Sequence, residues 1–249
     1  QYKPIFAFYF MLYLIGLGLN ERSISKEALE IIPRCKRVYL ENYTVDFPYK
    51  IESLEKEIGV ELMPLGREEV ESEKFLDEAK KINIALLIYG DVLAATTHIS
   101  LIMKCNKEEI KFKIFHNFGI FNAISETGLQ MYKFGKTASM PRWQENYFPD
   151  SFAEIIKDNL KIKAHTLLLI DIGLEIKKAL EQLKTACGNH KLFLDKIVVC
   201  SMMGTEHQKI YYEKADNLPK DIKSPFCIII PSVKLHDMEK EALSELANL

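Results

Sequence analysis

Residues 13–23 read "YLIGLGLNERS", an apolar run that ends at Gly16-Leu17-Gly18 and is followed by a charged turn. Three interpretations are open: a nucleotide-binding loop, part of a signal peptide, or a strand that ends at a flexible corner. A dinucleotide-binding fingerprint needs a third glycine at position 21, where the chain has Glu21, and this carboxylate would face the pyrophosphate. The stretch therefore predicts a first strand and a tight corner at which the backbone can approach a ligand closely.

The composition is that of a globular protein with one large or two small domains. The chain has 249 residues, of which 48% are hydrophobic and 27% charged. Its net charge of −2 provides no overall positive field to attract nucleic acid or an anionic membrane. An odd number of cysteines, without a CxxC pair or a suitably spaced histidine, predicts reduced thiols in a cytoplasmic protein and no metal site. These cysteines are Cys35, Cys105, Cys187, Cys200 and Cys227.

The N-terminus combines a charge with an apolar run, as a signal peptide does. Lys3 precedes "IFAFYFMLYLIGLGL" at residues 5–19. The run is shorter than the roughly 20 residues that span a bilayer, and it lacks a small-x-small cleavage pattern. We therefore expect the native domain to start at Met11 and residues 1–10 to be an extension or a cloning remnant.

Short apolar runs alternate with amphipathic segments, which predicts an α/β fold. The two α/β domains are expected over residues 11–115 and 116–249. Runs such as "IALLIYG" and "TLLLIDI" predict strands that are buried on both faces. Strands are expected at 12–16, 37–41, 60–64, 84–89, 110–116, 137–140, 165–172, 196–201, 209–213 and 226–231. Helices are expected at 25–32 with Ser25 as N-cap, 67–81, 121–132, from 150, 174–186 and 236–249.

The stretch "IYGDVLAATTH" at 88–98 places an acid directly after a buried strand. Ligands of open α/β sheets gather at the carboxyl ends of strands, so Asp91 is a candidate to accept hydrogen bonds from ribose hydroxyls or an amino group. The alternative is that Asp91 only ends the strand while Thr96 or Thr97 caps the next helix. The residues alone leave both interpretations open. "HNFGIFNAISETG" at 116–128 and Asp171 in "LLLIDI" repeat the pattern.

The remaining motifs do not match a phosphate-binding loop or the standard hydrolase sites. "FGKTAS" at 134–139 lacks the first Walker A glycine, because Gln130 occupies that position. Neither a nucleophile elbow nor an HExxH motif occurs, so the standard hydrolase motifs are absent. The lone histidines His116 and His165 lie at strand ends, where a hydrogen-bonded structural role is expected.

Several segments, in this order, resemble the diphthine synthases, class III methyltransferases with the tetrapyrrole-methylase fold. The stretch "GLQMYKFGK" is the most specific among them. The matching segments are "MLYLIGLGL" (11–19), "VYLENYT" (38–44), "REEVE" (67–71), "GDVLAATTH" (90–98), "IFHNFGIFNAISETGLQMYKFGKTAS" (114–139), "NYFPDSF" (146–152), "HTLLLIDI" (165–172) and "KLHDMEKE" (234–241).

The resemblance implies repeated methyl transfer from S-adenosylmethionine to an amine, with S-adenosylhomocysteine as the product. The amine belongs to the 3-amino-3-carboxypropyl group on one histidine of translation elongation factor 2, a step in diphthamide biosynthesis. It further implies a homodimer and a cofactor cleft between the two α/β domains. The implied location is the cytoplasm, without nucleic-acid or membrane partners.

Carried over by matching motif, the cofactor contacts fall in both halves of the chain. They are Leu19, Asp91, Ala94, Gly119, Ile120, Ile170, Met203, Gly204, Phe226 and Cys227. The chain departs from the family pattern at Val92, where proline is usual, and at Gly119, where serine is usual. No catalytic residue is predicted, because a positively charged methyl donor needs mainly a well-positioned acceptor.

Phe121, Tyr132 and Trp143 are candidates to hold a cationic product, although core packing is the favoured interpretation for each. Two rival functions remain: a sibling class III methyltransferase acting on a tetrapyrrole or RNA, and a cofactor-binding module without transfer activity. "GLQMYKFGKT" argues against the first rival. The module without transfer activity is supported only by the departures at Val92 and Gly119 and by a poorly matching region at 173–225.

Overall fold

The computed structural model describes residues 10–246, so residues 1–9 of the expected N-terminal extension lie outside the described part, as do residues 247–249. The chain divides into two compact units, the first ending at Gly119 and the second beginning at Ile120. Each unit has its own five-stranded sheet, as the alternating sequence pattern predicts.

The first unit is built on a parallel sheet with the order β3-β2-β4-β1-β5. Its strands are β1 (Met11–Gly16), β2 (Arg37–Glu41), β3 (Met63–Leu65), β4 (Ile84–Ile88) and β5 (Lys111–Phe115). Its helices are α1 (Lys26–Ile31), a 3₁₀ turn (Ile32–Arg34), α2 (Ile51–Ile58), α3 (Arg67–Glu71), α4 (Leu76–Ala79) and α5 (Ile99–Lys107). Ser25 caps α1 by accepting a hydrogen bond from the Ala28 N–H, as predicted.

Strand β4 shows why this unit forms two hydrophobic layers. All five of its residues are buried. Ile84, Leu86 and Ile88 pack into one cluster, while Ala85 and Leu87 pack into the other. A strand covered on both faces must be apolar at consecutive positions, which is what "IALLI" provides.

Two predicted segments of this unit differ from the structure. The helix expected over 67–81 is interrupted between α3 and α4, where Glu73 adopts a left-handed conformation with φ 58°. The strand expected over 60–64 begins only at Met63. The Leu62 N–H donates instead to the side chain of Glu55, and Gly59 ends α2 in the left-handed region.

The second unit has a mixed sheet with the order β6-β7-β10-β8-β9. Only β6 and β7 are parallel, and β10 runs antiparallel to both β7 and β8. The strands are β6 (Ala138–Met140), β7 (Thr166–Ile170), β8 (Lys196–Ser201), β9 (Lys209–Lys214) and β10 (Phe226–Ile230). The helices are α6 (Ile120–Ala123), α7 (Ser151–Lys161), α8 (Ile176–Asn189) and α9 (Asp237–Leu246), with 3₁₀ turns at Ile124–Thr127, Met131–Lys133 and Ala215–Asn217.

The helix predicted over 121–132 is replaced by α6 and two 3₁₀ turns. Gly128 lies between them with φ 76°, and a Cβ at this position would lie 2.3 Å from the Cβ of Ala242. The Gln130 N–H donates to the buried carboxylate of Glu239 instead of continuing a helix. Tertiary contacts with α9 thus override the local periodicity.

Within residues 10–246 no helix has the length and apolarity needed to cross a membrane. The five cysteines all lie in the described part and are free, in agreement with the expectation of reduced thiols.

Candidate functional site

The carboxyl ends of β4, β1 and β5 meet at one edge of the first sheet. Beyond the strands, Gly18 and Gly90 exchange two backbone hydrogen bonds of 3.1 and 2.9 Å. Both glycines have φ 73°, a conformation that side-chain-bearing residues adopt only with strain. The "GLG" corner and the "GD" loop are therefore held against each other by glycine-specific backbone geometry.

Two further glycines lie at this edge, and the close approach requires one of them, Gly16. A Cβ on Gly16 would lie 2.7 Å from the carbonyl oxygen of Gly90, which is a severe overlap. A Cβ on Gly119 would lie 3.4 Å from the Asp91 nitrogen, which is ordinary contact. The ends of three strands thus leave little room for side chains, and their glycines are buried where the loops pack closely at this edge.

Asp91 lies at the centre of this edge. Its Oδ1 accepts a hydrogen bond from the Leu93 N–H at 3.0 Å. Its Oδ2 accepts from the Asn117 N–H at 3.0 Å and pairs with His116 Nδ1 at 2.8 Å. Partial burial by itself would raise the pKa of Asp91, but these interactions outweigh burial and lower it. Asp91 is therefore an ionised anchor between the two loops, and its Oδ1 keeps one further acceptor position.

Asn117 is a site residue that the sequence analysis did not single out. Its Nδ2 donates to the carbonyl oxygens of Gly16 and Ser23, at 3.0 and 2.9 Å. It thereby ties the end of β5 to the corner after β1. The only sequence signal was its place directly after a strand, in "HNFG".

The other first-unit candidates flank Asp91. Leu19 is buried, and its carbonyl accepts a hydrogen bond from the Tyr89 hydroxyl at 3.1 Å. Ala94 is half-buried in the loop that follows Asp91. Val92, which follows Asp91, is fully buried in the core cluster beneath that loop.

The end of the GD loop differs from the alternative in which Thr96 or Thr97 caps the next helix. The N-cap of α5 is His98, and it makes no side-chain capping bond. Thr96 Oγ1 donates instead to the Val92 carbonyl, at 2.9 Å, and His98 Nδ1 contacts the same oxygen at 3.2 Å. The buried Nε2 of His98 has no hydrogen-bond partner within residues 10–246.

In the second unit, several predicted residues share one edge of the sheet. Ile170 ends β7, while Phe226 and Cys227 begin the antiparallel β10, with Cys227 opposite Leu169. Phe226 is in turn opposite Ser201 at the end of β8, and the Met202 N–H donates to the Pro225 carbonyl at 2.8 Å. Met203, which follows, is buried. This edge is therefore mostly apolar.

Gly204 and Ile120 are connected to different elements of the second unit. The Gly204 N–H donates to Gln208 Oε1 at 2.9 Å, and Gln208 Nε2 donates to Glu126 Oε2 at 2.6 Å. Ile120 is the first residue of α6, which leads into the turn that carries Glu126.

The signature stretch "GLQMYKFGK" belongs to a buried ionic cluster. The carboxylate of Glu239 on α9 is fully buried. It accepts hydrogen bonds from two side chains, Lys133 Nζ and His165 Nε2, the latter at 2.9 Å. It also accepts hydrogen bonds from the backbone N–H groups of Gln130 and His236. Burial alone would raise the pKa of Glu239, but these donors outweigh it and lower the pKa from 4.5 to about 2.

His165 is neutral within this cluster. Its Nδ1 accepts a hydrogen bond from the Ser232 N–H at 2.9 Å, so the ring proton lies on Nε2, which faces Glu239. Desolvation lowers the pKa of His165. The predicted structural role of this histidine is confirmed. His116, by contrast, is exposed and is bound to Asp91.

"FGKTAS" is also structural. A Cβ on Gly135 would lie 2.2 Å from Asn159 Oδ1. Asn159 accepts a hydrogen bond from the Lys136 N–H and donates to the Lys136 carbonyl and to Thr166. The glycine is needed to pack against α7, and the likeness to a phosphate loop is coincidental.

The three aromatic candidates have different surroundings. Phe121 is half-buried. Trp143 is half-buried too and packs against the core of the second unit. Tyr132 is 83% exposed, so core packing is wrong for this residue.

Comparison with known proteins places this arrangement in a family. The family model for tetrapyrrole (corrin/porphyrin) methylases matches residues 11–219. The diphthine synthase of Methanococcus maripaludis is 37% identical over an alignment of 252 residues including gaps. This alignment covers 95% of this chain and 98% of that protein. The chain belongs to the diphthine synthase branch of the tetrapyrrole methylases.

Further relatives agree with this assignment. The human diphthine methyl ester synthase is 42% identical over 176 residues, covering 70% of this chain and 61% of the human protein. A crystal structure of a diphthine synthase is 30% identical with a TM-score of 0.84, covering 96% of each chain. One from Entamoeba histolytica, provisionally named a diphthine synthase, is 35% identical with a TM-score of 0.86, covering 95% of this chain and 98% of that one. The chain is therefore a methyltransferase.

Proposed function

We propose that this methyltransferase acts in diphthamide biosynthesis. It transfers methyl groups from S-adenosylmethionine to the amine of the 3-amino-3-carboxypropyl-histidine of translation elongation factor 2. The full-length match to an archaeal diphthine synthase carries this proposal, because it extends through both units of the chain. The Asp91 anchor supports it by giving a strand-end site of the kind that binds ligands in α/β sheets.

Each edge, taken by itself, offers groups that fit a part of S-adenosylmethionine chemically. The free acceptor position on Asp91 Oδ1 suits a ribose hydroxyl or an ammonium group. Because the glycine-rich corner lacks side chains, a ligand can approach the backbone of the neighbouring loops closely. The edge of the second sheet supplies apolar surface suited to an adenine ring, from Ile170, Met203, Phe226 and Cys227.

The proposed site is completed by the remaining carried-over residues. They are Leu19, Ala94, Gly119, Ile120 and Gly204. When bound, the cofactor supplies a methyl group already activated by the positive sulfonium.

The protein's own task is then positioning and exclusion of water. The acceptor nitrogen must lie in line with the methyl group, at about 3 Å, and in its neutral form. Asp91 is a poor general base because its pKa is lowered and its carboxylate already accepts three hydrogen bonds. We therefore assign Asp91 to positioning of the cofactor and infer that water accepts the proton of the amine.

The proposed acceptor is a translation factor, so we extend the proposal to a cytoplasmic location. The five free cysteines support a reducing compartment. A homodimer is part of the same proposal and is tested by light scattering of the purified protein, which gives its mass in solution.

The decisive experiment uses purified chain, methyl-labelled S-adenosylmethionine, and elongation factor 2 carrying the unmethylated aminocarboxypropyl-histidine. Mass spectrometry of the modified peptide counts the methyl groups. Three additions identify a trimethylamine product, and four identify an additional methyl ester. No addition while the cofactor binds would contradict the proposal and point to another acceptor or to an inactive module. Elongation factor with unmodified histidine is the control and should receive no label.

A further inference from the structure

Residues 141–149, between β6 and α7, form an exposed turn that we call the aromatic loop. Gln144 and Tyr147 exchange two backbone hydrogen bonds of 3.0 Å each, and Asn146 takes the left-handed conformation with φ 62°. The turn presents Tyr147 and Phe148 to solvent, with 57% and 62% of their surface exposed. Two large aromatic side chains are thus displayed together.

The aromatic loop is fastened to the body of the second unit. Gln182 of α8 is buried, and its Oε1 accepts from the Trp143 N–H at 3.1 Å while its Nε2 donates to the Pro141 carbonyl at 2.9 Å. Trp143 Nε1 donates to the Pro149 carbonyl at 2.9 Å, closing the loop on itself. The Trp143 ring packs edge-on against Phe148, with centroids 5.6 Å apart. The backbone of the loop and the ring of Phe148 are therefore held in place before any partner arrives.

The loop starts at the edge that carries the proposed cofactor contacts of the second unit. Strand β6 pairs with β7 so that Met140 is opposite Ile170. The Asp171 N–H donates to the Met140 carbonyl at 3.1 Å, and the Arg142 N–H donates to Asp171 Oδ2 at the same distance. The aromatic loop and Ile170 therefore belong to one continuous surface.

Arg142 adds an available positive charge to this surface. Its Nη1 lies 3.4 Å from the position that a Cβ would take on Gly173, beside the turn after β7. Throughout residues 10–246 no carboxylate forms an ion pair with this exposed guanidinium. The Asp171 carboxylate instead accepts backbone N–H groups from Arg142 and Ile172. A guanidinium in this setting is suited to a ligand carboxylate.

We propose that the aromatic loop receives the segment of the substrate protein that carries the acceptor amine, an inference that rests on the proposed function. Tyr147 and Phe148 pack against that segment, and Arg142 pairs with the carboxylate of the aminocarboxypropyl group. Aromatic side chains that are already ordered lose little entropy on binding, which makes them effective anchors.

The test compares three variants with the wild-type chain: Tyr147→Ala/Phe148→Ala, Arg142→Gln and the control Phe193→Ala. Phe193 is 89% exposed and lies just before β8, whose far end, Ser201, is at the proposed site edge. The control therefore removes an even more exposed aromatic from the opposite edge. Steady-state methyl transfer gives KM for the elongation factor, and calorimetry gives Kd for S-adenosylmethionine.

We expect KM for the elongation factor to rise about tenfold or more in the first two variants, as loss of an interface anchor does. Kd for the cofactor and both constants of Phe193→Ala should stay unchanged. A wild-type chain that transfers no methyl would overturn the proposed function and this inference with it. An active wild type with an unchanged KM in the double variant would overturn this inference alone. A higher cofactor Kd in Arg142→Gln, with unchanged KM, would assign the guanidinium to the cofactor's carboxylate and overturn its role with the acceptor.

Discussion

The carboxylate of Asp91, after β4, accepts a hydrogen bond from the backbone N–H of Asn117, after β5, at 3.0 Å. These two residues belong to loops that follow strands on opposite sides of β1 in the sheet. The bond therefore closes over the end of β1 and fixes the spacing of the loops that form the first-unit part of the proposed site.

Asp91→Ala should weaken binding of S-adenosylmethionine by about tenfold or more while the chain stays folded, because it removes a charge-assisted hydrogen-bond centre. Calorimetry measures the affinity, and circular dichroism checks the fold. Asp91→Asn is the matched control. It retains one oxygen acceptor and should give an intermediate loss. An affinity equal to that of the wild type in the alanine variant would remove Asp91 from the site.

Gly16→Ala should destabilise the chain by about 2 kcal/mol, because its Cβ would lie 2.7 Å from the Gly90 carbonyl oxygen and the backbone would have to shift. Gly119→Ala is the comparison at the same edge. Its Cβ meets the Asp91 nitrogen at an ordinary 3.4 Å, so we expect a change within about 0.5 kcal/mol. Urea denaturation measures both. An equal loss of stability in the two variants would contradict steric crowding as the cause of the Gly16→Ala effect.

Glu239→Gln should cost about 3 kcal/mol of stability at pH 7, because it breaks a buried ion pair and leaves Lys133 without its carboxylate. The effect depends on pH in a defined direction. The pKa of Glu239 is lowered from 4.5 to about 2, so its stabilisation is present above pH 4.5 and is lost as the pH falls toward 2.

Denaturation curves of wild type and Glu239→Gln at a series of pH values measure this dependence. The difference in free energy of unfolding should shrink steadily from pH 5 downward. A difference that stays constant across that range would contradict the assignment of an ionised, hydrogen-bonded carboxylate.

Gln182→Leu should loosen the aromatic loop without unfolding the second unit. Leucine fills the buried position with an apolar side chain of similar size, while the Trp143 N–H and the Pro141 carbonyl lose their partner. Hydrogen exchange of the Trp143 and Tyr147 amides should become faster. The amides of β7 serve as the internal control and should keep their protection. Unchanged exchange in the loop would show that Gln182 does not hold it.

The sequence predicts the position of Asp91 at the end of a buried strand correctly, and the reasons are local. "IYGDV" predicts a buried strand followed by a glycine and an acid, and in the structure Asp91 lies just after the buried strand β4. Asn117 was missed because its role consists of reaching Gly16 and Ser23, about a hundred residues earlier in the chain. No local pattern encodes such a contact.

The predicted helix over 121–132 failed for a related reason. Its apolar spacing suits a helix, but Gln130 and Lys133 bond to Glu239, far along the chain, and Gly128 packs against Ala242. In the second sheet, Phe226 lies at the start of its strand, because β10 runs antiparallel to β7. A search for acids or glycines at the carboxyl ends of strands cannot find such a residue.

The position of Glu239 along the chain also has a consequence for how the protein is made. It lies on α9, the last helix of the described chain, yet Gln130, Lys133 and His165 all depend on its carboxylate. Domains fold as units while the ribosome adds residues from the N-terminus. The first unit can thus assemble during synthesis, whereas in the second unit the half-buried Lys133 and the buried His165 lack their partner until the final helix emerges. A ribosome stalled before α9 should therefore hold a chain whose first half resists protease and whose second half does not.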